Sequence, residues 1–188
     1  MRPISASKTR IWLAQDRLAE ALSWVRQRGL SVDDDLRYLR EYEHMLLARV
    51  HIAQYKSTRV DHYITGAMDL LARLLQGAQD GERTGSVIEI LMLQALAHAA
   101  QGDIPLALMP LSCALTLAEP QGYVQLFVDE GPPMAQLLQE AAARGIMPYY
   151  TNKLLAASSR LLTPTPLLAP SPLARTLSET VDRAANRA

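Results

Sequence analysis

The stretch LMLQALAHAAQGDIPLALMPLSCALTLAEP, Leu91 to Pro120, reads as two helices joined by a tight break. Leu91, Ala95 and Ala99 step by four with Ile88 before them, and Leu93 and Ala97 with Ile90 make a second apolar face. A helix that is apolar on two faces packs between neighbours rather than on a surface. Gly102 then breaks the pattern, and Asp103 is a good N-cap for a second helix. That helix turns Ile104, Leu108, Leu111, Leu115 and Ala118 inward. Pro110 inside it removes a hydrogen bond and predicts a kink.

Working outward, the same 3–4 spacing recurs and strand-like alternation is scarce. Leu39, Tyr42, Leu46, Val50 and Ala53 form one helical stripe, with Asp33–Asp35 before it as capping and first-turn acids. Ala67, Leu71, Leu74 and Ala78 form another. Ser86-Val87-Ile88-Glu89 fits a capping box at the start of the helix that runs into Leu91. Pro132-Pro133 opens a helix from Met134 to about Arg144, which Gly145 stops. Pro164, Pro166, Pro170 and Pro172 then mark an extended linker. Leu173, Leu177, Val181 and Ala185 beyond it suit a weak terminal helix. The chain therefore divides into a helical repeat domain over 1–160 and a disordered Pro-rich tail with a weak helix over 161–188.

Ala14-Gln15, Ala53-Gln54 and Ala100-Gln101 each close one helix before another begins, and the glutamines stand 39 and 47 residues apart. Helix pairs recurring at such periods indicate an α-solenoid. The unit from Leu91 to Pro120 resembles a tetratricopeptide repeat. In that resemblance Ala95, Ala107 and Ala114 fill the small-residue positions, and Pro120 falls near the closing proline. His98, His51 and Trp12 fall where such repeats carry an aromatic residue. The second unit has about seven extra residues around Tyr55–Tyr63, read as a longer turn.

Three segments extend the likeness: Arg83–Leu91; Gly122-Tyr123-Val124 with Phe127–Gly131; and Trp12–Gln15 followed by Tyr38–Glu41. Over residues 9–157 the chain resembles the tetratricopeptide-like sensor region of the large, ATP-dependent, LuxR-family transcriptional regulators of the MalT-like group. The resemblance implies an all-α, right-handed solenoid of three to four helix pairs. It also implies a non-catalytic, cytoplasmic domain that senses a small-molecule inducer or a partner protein and gates oligomerisation. An NTPase domain and a helix-turn-helix domain accompany it in such regulators. Neither shows here: no G-x-x-x-x-G-K-S/T occurs, and Leu173–Ala188 does not continue into a helix-turn-helix. The chain is expected to be an excised domain or a natural truncation, with no ATPase or DNA-binding activity of its own. A free-standing adaptor that binds a peptide or partner protein is the alternative.

Composition agrees with these exclusions. Nineteen basic and nineteen acidic side chains leave no surplus charge for a nucleic acid. The most apolar window, Ile104 to Ala118, is 15 residues long with two prolines, too short to span a membrane. Cys113 is the only cysteine and reads as a small buried hydrophobe, and Met45, Met68, Met92 and Met109 read as core gap-fillers. His44 and His51 are seven apart, not the four of a helical metal pair, so neither a metal nor another cofactor is expected. Asp129-Glu130 could be paired catalytic acids. With no base or nucleophile beside them, a helix-start role explains them.

First helices of stacked pairs line the binding face of a solenoid. In the register set by the glutamines, Arg10, Tyr42, Met45, Arg49, Glu89, Met92 and Leu96 point there. Two cations and apolar contacts would make a groove for an acidic or polyhydroxylated small molecule, or for a peptide. The competing reading leaves the arginines on a solvated surface and Glu89 in its capping box. Repeat ends without polar caps also predict self-association.

Overall fold

A computed structural model describes the backbone over residues 4–162 and the side chains over 8–159. The described elements are α1 (Ile4–Ala14), α2 (Leu18–Arg28), α3 (Glu41–Thr58), α4 (Asp61–Asp80), α5 (Thr84–Gln101), α6 (Ile104–Ala118), the single turn α7 (Gln125–Val128), α8 (Pro132–Ala143) and α9 (Pro148–Leu162). No strand occurs among the described residues. Most of the tail expected over 161–188 lies outside them. The chain divides at Ser158, and the core belongs to the unit before that point.

Successive helices pack as pairs, α1 with α2, α3 with α4 and α5 with α6, and each pair packs on the next through α3 and α5. This is the stacked architecture that the helical periods predict. α5 sits at its centre. Its Ile88, Ile90, Met92 and Leu93 are fully buried, each contributing about 1.5–3 kcal/mol. Ala95, Ala107 and Ala114 are also fully buried, which lets the α5 and α6 backbones approach. Asp103 accepts from the Leu106 N–H at 2.9 Å and Gly102 takes the left-handed conformation, so the break between these helices is capped on both sides. α6 continues through Pro110.

Several local expectations fail, some because the helix bounds differ and others because a side chain finds another partner. The second pair has no lengthened turn: α3 runs a turn past Gln54 to Thr58, only Arg59 and Val60 separate it from α4, and the extra residues extend the helices. Leu39 is 92% exposed rather than inward, because α3 begins only at Glu41 after a 3₁₀ turn over Tyr38–Arg40. Asp34 does not cap α3. It accepts from the Ser31 N–H at 3.1 Å and meets the buried His44 ring at 3.2 Å, while Arg73 on α4 donates to the Val32 and Asp34 carbonyls. Ser86 and Glu89 form no capping box, since α5 starts earlier, at Thr84. Ser86 instead donates to Glu41, which Arg83 also binds.

Cys113 is exposed, and so is Met109, at 65%. Both lie on the outer side of α6, whose opposite side supplies the core. Met45 and Met92 are buried and Met68 half-buried, as gap-fillers should be.

Candidate functional site

α1, α3 and α5 present one face together, and the turn from α7 to α8 closes over it. A cavity of about 740 Å³ lies there, with walls from Leu13, Ile52, Leu93 and Leu96 and a rim from Asp129–Pro133. The volume is within the usual range for small-ligand sites.

An ion network forms one side of this cavity. Arg49, on α3, has a side chain only 10% exposed. One of its terminal nitrogens donates to Glu89 on α5 at 3.1 Å and the other to Glu130 on the α7–α8 turn. The second Glu130 oxygen accepts from Arg10 on α1 at 3.2 Å. Glu89 and Glu130 side chains are 2% and 6% exposed. The network therefore ties α1, α3, α5 and the turn, joining residues 120 positions apart. Gly131 makes the turn possible. Its φ of 70° and ψ of −151° lie in a region open essentially to glycine alone.

Burial works against the charges of Glu130 and Arg49, and their partners outweigh it. It pushes the Glu130 carboxyl up, but the positive charge of Arg49, its hydrogen bond, Arg10 and Lys56 hold it below the ordinary carboxylate value. Burial likewise pushes Arg49 down, and Glu130 and Glu89 push it further up, so Arg49 is always charged. One polar atom stays unmatched: Arg49 Nε is buried with no hydrogen-bond partner.

Of the residues placed on this face from sequence, Arg10, Arg49 and Leu96 line the cavity. Glu89 lies beside it as the partner of Arg49, with no capping role. Met45 and Met92 do not reach it. They are buried in the core, because α3 and α5 are enclosed by helices on both sides. Tyr42 is half-buried against the same core. The two cations expected to be open for an acid are already held by carboxylates.

Sequence reasoning missed Glu130 and Lys56. Glu130 is a network partner rather than a helix-start acid, whereas Asp129 accepts from the Gln125 amide. The available signal was the Phe127–Gly131 segment, whose glycine before two prolines marks a sharp turn. His51 serves packing, and His44 bonds to Asp34 and the Arg40 carbonyl. The His51 ring meets Tyr63 edge-on at 5.6 Å, and burial holds it below its ordinary pKa. Among the described residues, no three His, Cys, Asp or Glu side chains are grouped to hold a metal. No described helix is long and apolar enough to cross a membrane.

Helix pairs stacked through small residues, with a cavity on the face of the first helices, define a repeat domain of the tetratricopeptide type. Such regions are in general non-catalytic. A model of the MalT-like TPR region matches residues 2–144, and the chain belongs to that family. The match stops at the end of α8, short of the 9–157 expected from the motifs. No curated protein and no solved structure matches the chain.

Proposed function

We propose that the chain is the ligand-sensing and protein-interaction domain of a MalT-like, LuxR-family transcriptional regulator. It performs no chemistry, and its cavity takes a small-molecule inducer. The observation that carries this reading is the apolar cavity bordered by a buried ion network that links α1 to the α7–α8 turn. An occupant touches both. If it binds one arrangement of these elements more tightly than another, it shifts their populations by that difference and so biases assembly of the regulator.

The test is a thermal-shift screen of the full chain against a metabolite panel, repeated with Ala53→Trp. Ala53 lines the cavity, and a tryptophan there takes up part of its volume and obstructs it without removing a core contact. A compound should raise Tm in a saturable way for the wild type and not for the variant. Hits that survive the filling would refute the reading.

A protein partner is the second reading, and α6 favours it. Leu106, Met109, Cys113 and Leu117 are exposed at helical spacing, and no charged residue lies between Asp103 and Glu119. Self-association through this stripe would appear in light scattering as a concentration-dependent mass, lost in Met109→Glu.

A further inference from the structure

The cavity borders a second one of about 610 Å³, and the two share Lys56, Leu96 and Pro133. Lys56 therefore stands at the junction of a continuous groove. Its surroundings differ from those of the other cations nearby. Arg10 and Arg49 are bound by Glu130 and Glu89, so an acid brought to them would meet two buried carboxylates. Among the described residues, Lys56 has no ion-pair or hydrogen-bond partner. Arg59, which lines the second cavity, donates to the Ala100 carbonyl at 3.0 Å and stacks over Tyr55, without a carboxylate partner. The one acid lining that second cavity, Glu140, faces Arg144 at 3.9 Å. Lys56 and Arg59 thus stand together without an ion pair, Asp16 and Glu130 of the first cavity acting on Lys56 only from beyond bonding distance, and the apolar walls lie to one side.

We propose that the groove takes a small amphiphilic monoanion, an apolar or hydroxylated body bearing one carboxylate or sulfonate, whose acid is held by Lys56 with Arg59 beside it. The body lies against Leu13, Ile52, Leu93 and Leu96. This rests on the ligand-sensing reading of the same cavity and names the chemistry it selects. The state of the amine agrees with it. Lys56 is exposed at the junction, yet the groove walls partly desolvate its amine and hold its pKa below the ordinary lysine value, with Asp16 and Glu130 offsetting this in part. An anion at the junction removes that penalty, since an opposite charge favours the charged form. Three ammonium donors on a flexible stem also suit a group of variable geometry.

The experiment is a fluorescence titration of the full chain with two probes of nearly equal shape. One is 8-anilinonaphthalene-1-sulfonate, an apolar body with one sulfonate, and the other is uncharged N-phenyl-1-naphthylamine. The wild type should bind both saturably and the sulfonate more tightly. Lys56→Gln should weaken the sulfonate about ten-fold, the low end for losing one charge-assisted hydrogen bond, and leave the uncharged probe within about two-fold. Lys56→Arg should restore the sulfonate. Lys153→Gln, which removes an exposed charge on α9, should change neither. Ala53→Trp should abolish both. If Lys56→Gln costs the sulfonate no more than Lys153→Gln does, the acid is not held there. This inference then fails, while the cavity reading stands provided Ala53→Trp still blocks binding. If Ala53→Trp leaves both probes bound, or neither binds saturably, both readings fall together.

Discussion

Removing Arg49 tests whether the ion network is a structural clasp or a decoration. In Arg49→Met the aliphatic part of the side chain is kept and the guanidinium lost. Glu130 keeps Arg10, but Glu89 and Glu130, both nearly inaccessible to water, lose the charge between them. Deleting one partner of a buried ion pair costs about 3–5 kcal/mol, because the uncompensated charge remains. Against a typical stability of about 5–15 kcal/mol, that is a large fraction of the total. For a domain of this size it corresponds to a Tm lowered by roughly 6–20 °C. Urea unfolding followed by circular dichroism at 222 nm measures it directly. Two companion results identify the mechanism. Arg49→Met with Glu89→Leu and Glu130→Leu should be less destabilised than the single variant, since the stranded charges leave together. The pH dependence should also change sign. In the wild type Glu130 is held below its ordinary pKa, so its contribution is full above the unfolded value, about 4.3, and is lost as pH falls through the lower folded value. Without Arg49, burial dominates and raises that pKa above the unfolded value. Protonation then relieves the variant, which should regain stability as pH falls toward the ordinary carboxylate range, while the wild type does not. A loss under about 1 kcal/mol, with a pH profile parallel to the wild type, would refute the reasoning.

Further outcomes follow from two single side chains. Tyr150 is 1% exposed, donates to the Tyr123 carbonyl at 2.5 Å, and is pushed up to about 12 by burial and by Glu119. One of the seven tyrosines should therefore ionise after the rest in a titration at 295 nm, and stability should fall from about pH 10 upward, as the unfolded chain ionises first. Tyr150→Phe should cost about 1 kcal/mol, because the half-buried Tyr123 carbonyl loses its donor. Cys113 is exposed on α6, so the native protein should titrate one thiol with Ellman's reagent without denaturant, and a thiol that appears only after unfolding would contradict its placement.

The helices of the α5–α6 pair and their core positions were legible from sequence, though the start of α5 and the exposure of Met109 and Cys113 were not. Apolar spacing, Gly102, Asp103 and the three alanines are local signals, and in a stacked repeat the nearest neighbour along the chain is also the nearest in space. The site was legible only in outline. Arg10, Arg49 and Leu96 could be placed on the right face, because register along a helix carries over from its period. Their state could not be read. An arginine in water and an arginine clamped between two carboxylates have the same sequence pattern, and the residues that decide between them stand 40 and 81 positions away. The same ambiguity misplaced Ser86, Glu89 and Asp34. Each is a residue type that caps helices when nothing else is near, and each has other partners: Glu41 for Ser86, Arg49 for Glu89, and the Ser31 N–H with His44 for Asp34. For a charged or hydroxyl side chain the sequence therefore states what it can bond to, and only the packing of the helices states which partner is within reach. That is why Lys56 carries the specificity argument. It belongs to the same class as Arg10 and Arg49 and faces the same groove, but the packing has brought no carboxylate within ion-pair distance of it, Asp16 and Glu130 acting on it only from further off.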